Sequence, residues 1–317
     1  MLDPSGVLRQ GLVQLAKSGR MRDLIERAPV SRDVVRRFIA GDSTGDVVRV
    51  ATELDLTGRT SSIDHLGEDT LDLRQAQATR DAYLTLLAAL SDAGLTQGGK
   101  AEVSLKLSAL GQALPSDGAK IALEHAREIC QVAANAGTTV TLDMEDHTTT
   151  DATLETLREL RQDFPSVGAV LQAYLHRTEA DCRDLAHAGS RVRLCKGAYK
   201  EPESVAFQGR HDVDGAYVRA LNVLMAGDGY PMIATHDPRL VSITEELARR
   251  TARAKDSYEF QMLYGIRPHE QERLAAQGQR MRVYVPYGDE WYGYLVRRMA
   301  ERPANLAFFL RAVATKG

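Results

Sequence analysis

The sequence predicts an α/β protein built as a single (β/α)8 TIM barrel. Two observations carry this: short apolar runs alternate with longer amphipathic stretches through most of the chain, and polar residues collect where the runs end. The runs occupy 60–66, 102–107, 138–143, 168–173, 192–195, 231–234, 258–262 and 281–285. Several are rich in Val, Ile or Tyr and are flanked by Gly or polar turns, as strands are. Helical stretches lie between them at 72–93, 121–136, 152–162, 178–187, 213–226, 240–254 and 268–276, and a last one at 290–302 closes the set. Such a repeat builds a closed barrel or an open doubly wound sheet, and the count of units favours the barrel. Gly137 before Thr138 and Gly189 before Ser190 stand where a helix C-cap feeds the next strand.

Residues 8–40 read as short helices broken at Pro29. Leu24, Ile25, Val34, Val35 and Phe38 supply one apolar side, and Ser31 suits an N-cap. The expected division is an N-terminal helical arm at 1–45 and a catalytic barrel at 46–317. A chain of 317 residues can bury one large core, and a barrel needs about 250 of them.

Charge excludes some function classes. Lys and Arg total 40 against 43 Asp and Glu, a net −3, with the signs interleaved, so nothing marks nucleic acid or an anionic membrane as a partner. Cys130, Cys182 and Cys195 have no CxxC or zinc-like spacing and fit a reducing compartment. The first residues lack a signal peptide's pattern, and no apolar stretch of about 20 residues occurs. The expectation is a soluble cytoplasmic protein, with a peripheral membrane contact through a small patch left open. No GxGxxG follows a predicted strand and no GxxxxGK[ST] occurs, so a dinucleotide, if held, is gripped another way.

The strand ends carry the candidate chemistry. Lys106 sits at the second, Asp143 and Glu145 at the third, Gln172 at the fourth, Arg193 and Lys196 at the fifth and His236 at the sixth, while Glu259 and Gln261 lie in the seventh. In a barrel, C-terminal strand ends converge on one mouth. Lys106 either reaches solvent or pairs with Asp143; its functional readings are anion capture or a Schiff-base nucleophile. His236 is either a structural histidine or a donor to a cofactor. His65, His147 and His236 are scattered, so no metal site is expected. Near the C-terminus, Tyr294, Arg297, Arg298 and Glu301 share one face if that segment is helical. Adjacent arginines among Tyr284, Tyr287, Trp291 and Tyr294 suit a small anion, because each guanidinium can grip a carboxylate bidentately.

With these motifs in hand, the sequence resembles the proline dehydrogenase family, including the proline-oxidising portion of fused bacterial enzymes. The resemblance rests on Leu105-Lys106-Leu107-Ser108-Ala109-Leu110-Gly111, Leu142-Asp143-Met144-Glu145, Gln172-Ala173-Tyr174, Arg193-Leu194-Cys195-Lys196-Gly197-Ala198-Tyr199, Ala234-Thr235-His236, Glu259-Phe260-Gln261-Met262-Leu263-Tyr264-Gly265 and the segment 284–305. It implies a distorted barrel with FAD held non-covalently and the final helix over the mouth. By motif position it implies that Arg297 and Arg298 pair with the proline carboxylate, with Lys106 assisting and Glu301 orienting an arginine. Tyr284, Tyr199 and Leu194 line the ring, and Tyr294 and Asp143 stand with this substrate group. Gln172, Arg193, Lys196, Gly197, Thr235, His236 and Glu259 position the flavin. Cys195 replaces a valine common at that motif position, a tolerable apolar exchange. The loop from Tyr284 to Tyr294 is two residues shorter than in the fused enzymes.

The implied reaction is oxidation of L-proline to 1-pyrroline-5-carboxylate, with hydride moving from proline C5 to flavin N5. The neutral amine supplies its lone pair to the forming C=N bond, and Arg193 stabilises the anionic reduced ring. The resemblance further implies a quinone as electron acceptor. With no room for an aldehyde dehydrogenase domain before Gly317, the product is expected to pass to a separate pyrroline-5-carboxylate dehydrogenase. Two rivals are a cofactor-free barrel using Lys106 as a Schiff-base nucleophile and a ligand-binding barrel without turnover.

Overall fold

Alternation within the strands decides the architecture. The computed structural model describes residues 35–67 and 69–295. Its strands are β1 (Thr60–His65), β2 (Ala101–Leu105), β3 (Val140–Leu142), β4 (Gly168–Gln172), β5 (Arg191–Cys195), β6 (Tyr230–Ala234), β7 (Glu259–Leu263) and β8 (Met281–Tyr287). All pair in parallel, and β8 closes on β1, giving the eight-stranded barrel the sequence predicts, with each strand end within two residues of its expected place. Around it lie α1 (Thr44–Leu56), α2 (Leu73–Asp92), α3 (Gly118–Asn135), α4 (Thr150–Asp163), α5 (Thr178–Leu185), α6 (Arg210–Ala226), α7 (Pro238–Arg250) and α8 (Pro268–Ala276).

Val103 and Leu105 of β2, Val192 and Leu194 of β5, Phe260 and Met262 of β7, and Val283 and Val285 of β8 are buried in one apolar layer with Leu86, Ile129, Leu160 and Leu221 of the helices. Each such side chain contributes about 1.5–3 kcal/mol on burial. The intervening residues are polar and meet across the barrel: Arg193 of β5 donates to Ser62 of β1, and Arg282 of β8 pairs with Glu102 of β2. The barrel interior is therefore ionic, unlike the branched apolar filling usual in this architecture.

Helix α1 is not expected from the sequence reading, and it spans the expected arm–barrel boundary at 45/46. Its Ser43 N-cap and Asp46 form a reciprocal capping box, and Val47, Val50, Ala51 and Leu54 are its buried side. Before it, residues 35–38 are helical, and Val35 and Phe38 are buried as expected. The Ala40 amide donates to Pro286 O at 3.0 Å and the Gly288 amide to Gly41 O at 3.0 Å, so this segment runs along the C-terminal end of β8. Gly265, at φ +72°, lets Arg37 O approach to where a Cβ would sit 1.7 Å away. Leu24, Ile25, Pro29, Ser31 and Val34 lie outside the described residues, as do Arg297, Arg298 and Glu301. Among the described residues no helix is long and apolar enough to cross a membrane.

Candidate active site

Two tyrosines from the helical layer pin the strand ends that carry the mouth. The Tyr83 hydroxyl of α2 donates to Ser104 O at 2.7 Å and accepts from the His65 amide at 3.0 Å, tying β1 to β2. The Tyr217 hydroxyl of α6 donates to Leu194 O at 3.0 Å on β5.

On the β8–β1–β2–β3 side, Lys106 Nζ donates to Asp64 Oδ2 at 2.5 Å. The sequence leaves Lys106 to reach solvent or to pair with Asp143; the structure pairs it with Asp64. Asp64 is buried, and desolvation pushes its carboxyl above the usual range despite Lys106. The sequence reading missed this residue. Asp143, just past β3, accepts from Ser104 Oγ at 2.8 Å and Arg193 Nη1 at 2.6 Å through Oδ1, and from the Tyr284 hydroxyl at 2.6 Å through Oδ2. Burial, with Asp143 and Asp64 nearby, drives the Tyr284 phenol well above its ordinary value, so it stays a donor. The Arg193 guanidinium lies 5.3 Å from the Tyr284 ring centroid. Glu145 Oε1 accepts from the Ser108 amide at 3.2 Å.

The β4–β5–β6 side has a different character. Gln172 is 3% exposed, and its Oε1 is buried with no hydrogen-bond partner among the described residues. Lys196 Nζ is held by Asp214 and, at 3.3 Å, by Asp237 Oδ2. Asp237 also caps α7, accepting from the Arg239 amide at 3.0 Å. Gly197 has φ +107°, and a Cβ there would lie 2.3 Å from the Tyr174 ring, so no side chain fits. Thr235 Oγ1 accepts from the Asp237 amide at 3.1 Å, and His236 Nε2 accepts from the Leu263 amide at 3.0 Å. Tyr199 is half-buried in the loop after β5.

Two expected site residues stand elsewhere. Leu194 belongs to the apolar layer between barrel and helices, because its neighbour Arg193 faces inward and parity turns it outward; it does not line the mouth. Glu259 begins β7, at the opposite end of the barrel, where it accepts from Arg282 Nε at 2.7 Å and the Tyr230 hydroxyl at 3.1 Å. It does not reach a cofactor at the mouth. Tyr294 is buried with Val35, Phe38, Ile39, Leu66, Tyr292 and Leu295 in a second apolar cluster at the mouth end. The cysteines offer no thiolate, since burial pushes Cys130 and Cys182 up to about 12 and Cys195 up to about 11.

Charged and hydrogen-bonding side chains gathered at the C-terminal end of a parallel barrel define a barrel enzyme. Residues 47–311 match the proline dehydrogenase family, and the chain belongs to it. It is 38% identical over 281 residues to proline dehydrogenase 1 of Bacillus subtilis, covering 89% of this chain and 91% of that protein. It is also 38% identical over 283 residues to the proline dehydrogenase of Deinococcus radiodurans, covering 89% and 90%. Its fold is similar to proline utilization A (PutA) of Bdellovibrio bacteriovorus, with TM-score 0.77 and 27% identity, covering 84% of this chain and 32% of that one. The chain thus spans about a third of that larger protein. Membership makes it a flavin-dependent oxidoreductase whose general function is FAD-dependent oxidation of proline.

Proposed function

We propose that this chain oxidises L-proline to 1-pyrroline-5-carboxylate at the barrel mouth, with proline over the β8–β1–β2–β3 side and FAD over the β4–β5–β6 side. The observation that carries the division is the buried Gln172 Oε1 at the end of β4, without a hydrogen-bond partner among the described residues, whereas the Lys106–Asp64 and Tyr284–Asp143 pairs stand on the β8–β1–β2–β3 side. A buried acceptor without a donor is costly, and a cofactor N–H bound there would satisfy it. The residues present therefore fit FAD, which when bound supplies the hydride acceptor.

This chain's own residues bind and orient. Lys106 draws the proline carboxylate, and Arg297 and Arg298 complete the clamp. Tyr284 and Tyr199 face the pyrrolidine ring, Thr235 and His236 shape the cofactor side, and Arg193 places a positive charge beneath the two. The C5–H bond breaks as the amine lone pair forms the C=N bond, and the amine proton goes to solvent. The Schiff-base alternative for Lys106 is disfavoured, since an ion-paired ammonium has no lone pair to attack a carbonyl.

In the cell, this reading has the enzyme in the cytoplasm and touching the inner face of the membrane peripherally. Electrons pass to a quinone, and the product passes to a separate pyrroline-5-carboxylate dehydrogenase. The test is anaerobic addition of L-proline to FAD-loaded protein. Bleaching of the visible flavin bands is expected; fully loaded protein that keeps its colour overturns the reading.

A further inference from the structure

Arg193 sits inside the barrel, and a long side chain needs anchors to hold its charge at one place. Its Nη1 donates to Ser104 and Asp143, its Nη2 to Ser62 at 2.9 Å, and its Nε to Gln261 Oε1 at 2.6 Å. Gln261 is 3% exposed, and its amide is used at both ends, for Nε2 donates to Glu259 Oε1 at 2.6 Å. A carboxylate only accepts, so Glu259, fixed by Arg282, decides which way the amide points. The Gln261 oxygen is thereby turned to Arg193. The result is a continuous chain, Glu259–Gln261–Arg193–Asp143–Tyr284, running from the bottom of the barrel to its mouth, with every link 2.6 Å long. A competing anion lies below: Glu102 Oε1 is 3.6 Å from Arg193 Nη2. Without the Gln261 anchor, the guanidinium has a carboxylate to sink toward.

We propose that Gln261, oriented by Glu259, is a positioning residue for the active site. It sets where the Arg193 charge stands and, through Asp143 and the ring contact, how Tyr284 is held. This rests on the reading that Arg193 and Tyr284 border FAD and proline. Gln261→Met keeps the volume, removes both hydrogen bonds and leaves Glu259 with Arg282 and Tyr230. The paired exchange Gln261→Glu with Glu259→Gln reverses amide and carboxylate while preserving an acceptor for Arg193 and a donor between the two positions.

The experiment measures the midpoint potential and visible spectrum of bound FAD, the kcat and KM for L-proline, and the melting temperature. The proteins are FAD-loaded parent, Gln261→Met, the paired exchange and Arg193→Lys. Gln261→Met is expected to shift the flavin potential in the same direction as Arg193→Lys and to lower kcat by at least about fivefold, as expected for directly coupled neighbours. The paired exchange is expected to recover most of that kcat. If Gln261→Met lowers only the melting temperature and leaves potential, spectrum and kcat at parental values, Gln261 is structural and the proposal falls. If Arg193→Lys itself changes neither potential nor proline kinetics, the underlying placement of Arg193 falls instead. Should the paired exchange not fold, Gln261→Met against Arg193→Lys still decides.

Discussion

At Asp143 both carboxylate oxygens are engaged, one by Ser104 and Arg193 and the other by Tyr284. The phenol is thereby aimed, and its ring rests against the Arg193 guanidinium. Tyr284→Phe deletes a hydrogen bond to a charged group, worth about 1.5–3 kcal/mol, but keeps the ring. Tyr284→Ser removes the ring and opens space. The Ser variant should narrow the preference for L-proline over 4-hydroxyproline, and the Phe variant should keep most of it while melting lower. The ratio of the two kcat/KM values checks this, and an unchanged ratio in the Ser variant refutes the ring contact. The motif resemblance pointed to Lys106, Asp143 and Tyr284, and the structure gathers all three. Asp64 was invisible, because its partner lies 42 residues along the chain and no spacing rule links them. Leu194 is a different kind of miss. Strand parity against Arg193 carried the signal, and the motif assignment overrode it.

Among the elements, the strands were the most legible, because polar–apolar alternation in Glu102-Val103-Ser104-Leu105 or Arg191-Val192-Arg193-Leu194 encodes both the strand and its facing. Helix α1 was missed although Ser43 and Asp46 carried a capping signal before its apolar positions. Glu259 was assigned to the mouth by motif position, although the expected run 258–262 already places it at the start of its strand. At that end, burial alone would raise the Glu102 carboxyl, but Arg191, Arg282 and Arg193 outweigh it and hold it at about 2, against 4.5 ordinarily. A carboxyl held lower in the folded state stabilises the fold above about 4.5, and that stability is lost as pH falls toward about 2. Glu102→Gln should therefore melt lower at neutral pH, since breaking a buried ion pair costs about 3–5 kcal/mol. Below about pH 4.5 its melting temperature should fall less steeply than the parent's. Calorimetric melts across that range test the sign, and parallel slopes would reject the assignment.

On the scale of the whole molecule, the mouth is assembled from both ends of the described chain. Val35, Phe38 and Ile39 pack with Leu66 after β1 and with Tyr292, Tyr294 and Leu295 after β8, so the helical residues 291–295 are fixed at the C-terminal end of the barrel. Arg297 and Arg298 follow after Val296, outside the described residues. Adjacent positions on a helix are about 100° apart, yet two long side chains can still converge on one anion. Truncating one member of a buried charge pair costs about 2–5 kcal/mol. Arg297→Met and Arg298→Met should each lower kcat/KM for L-proline by at least about tenfold, or about 1.4 kcal/mol, chiefly through KM. Flavin occupancy should hold. Lys at either position should rescue only in part, because a point charge does not reproduce the bidentate fork. The competing role is an ion pair with Glu301 that only holds the helix. Steady-state kinetics and melting temperatures on the Met variants separate the two: an arginine whose loss lowers the melting temperature but leaves the proline KM near the parental value is structural, and the clamp then has one arginine fewer.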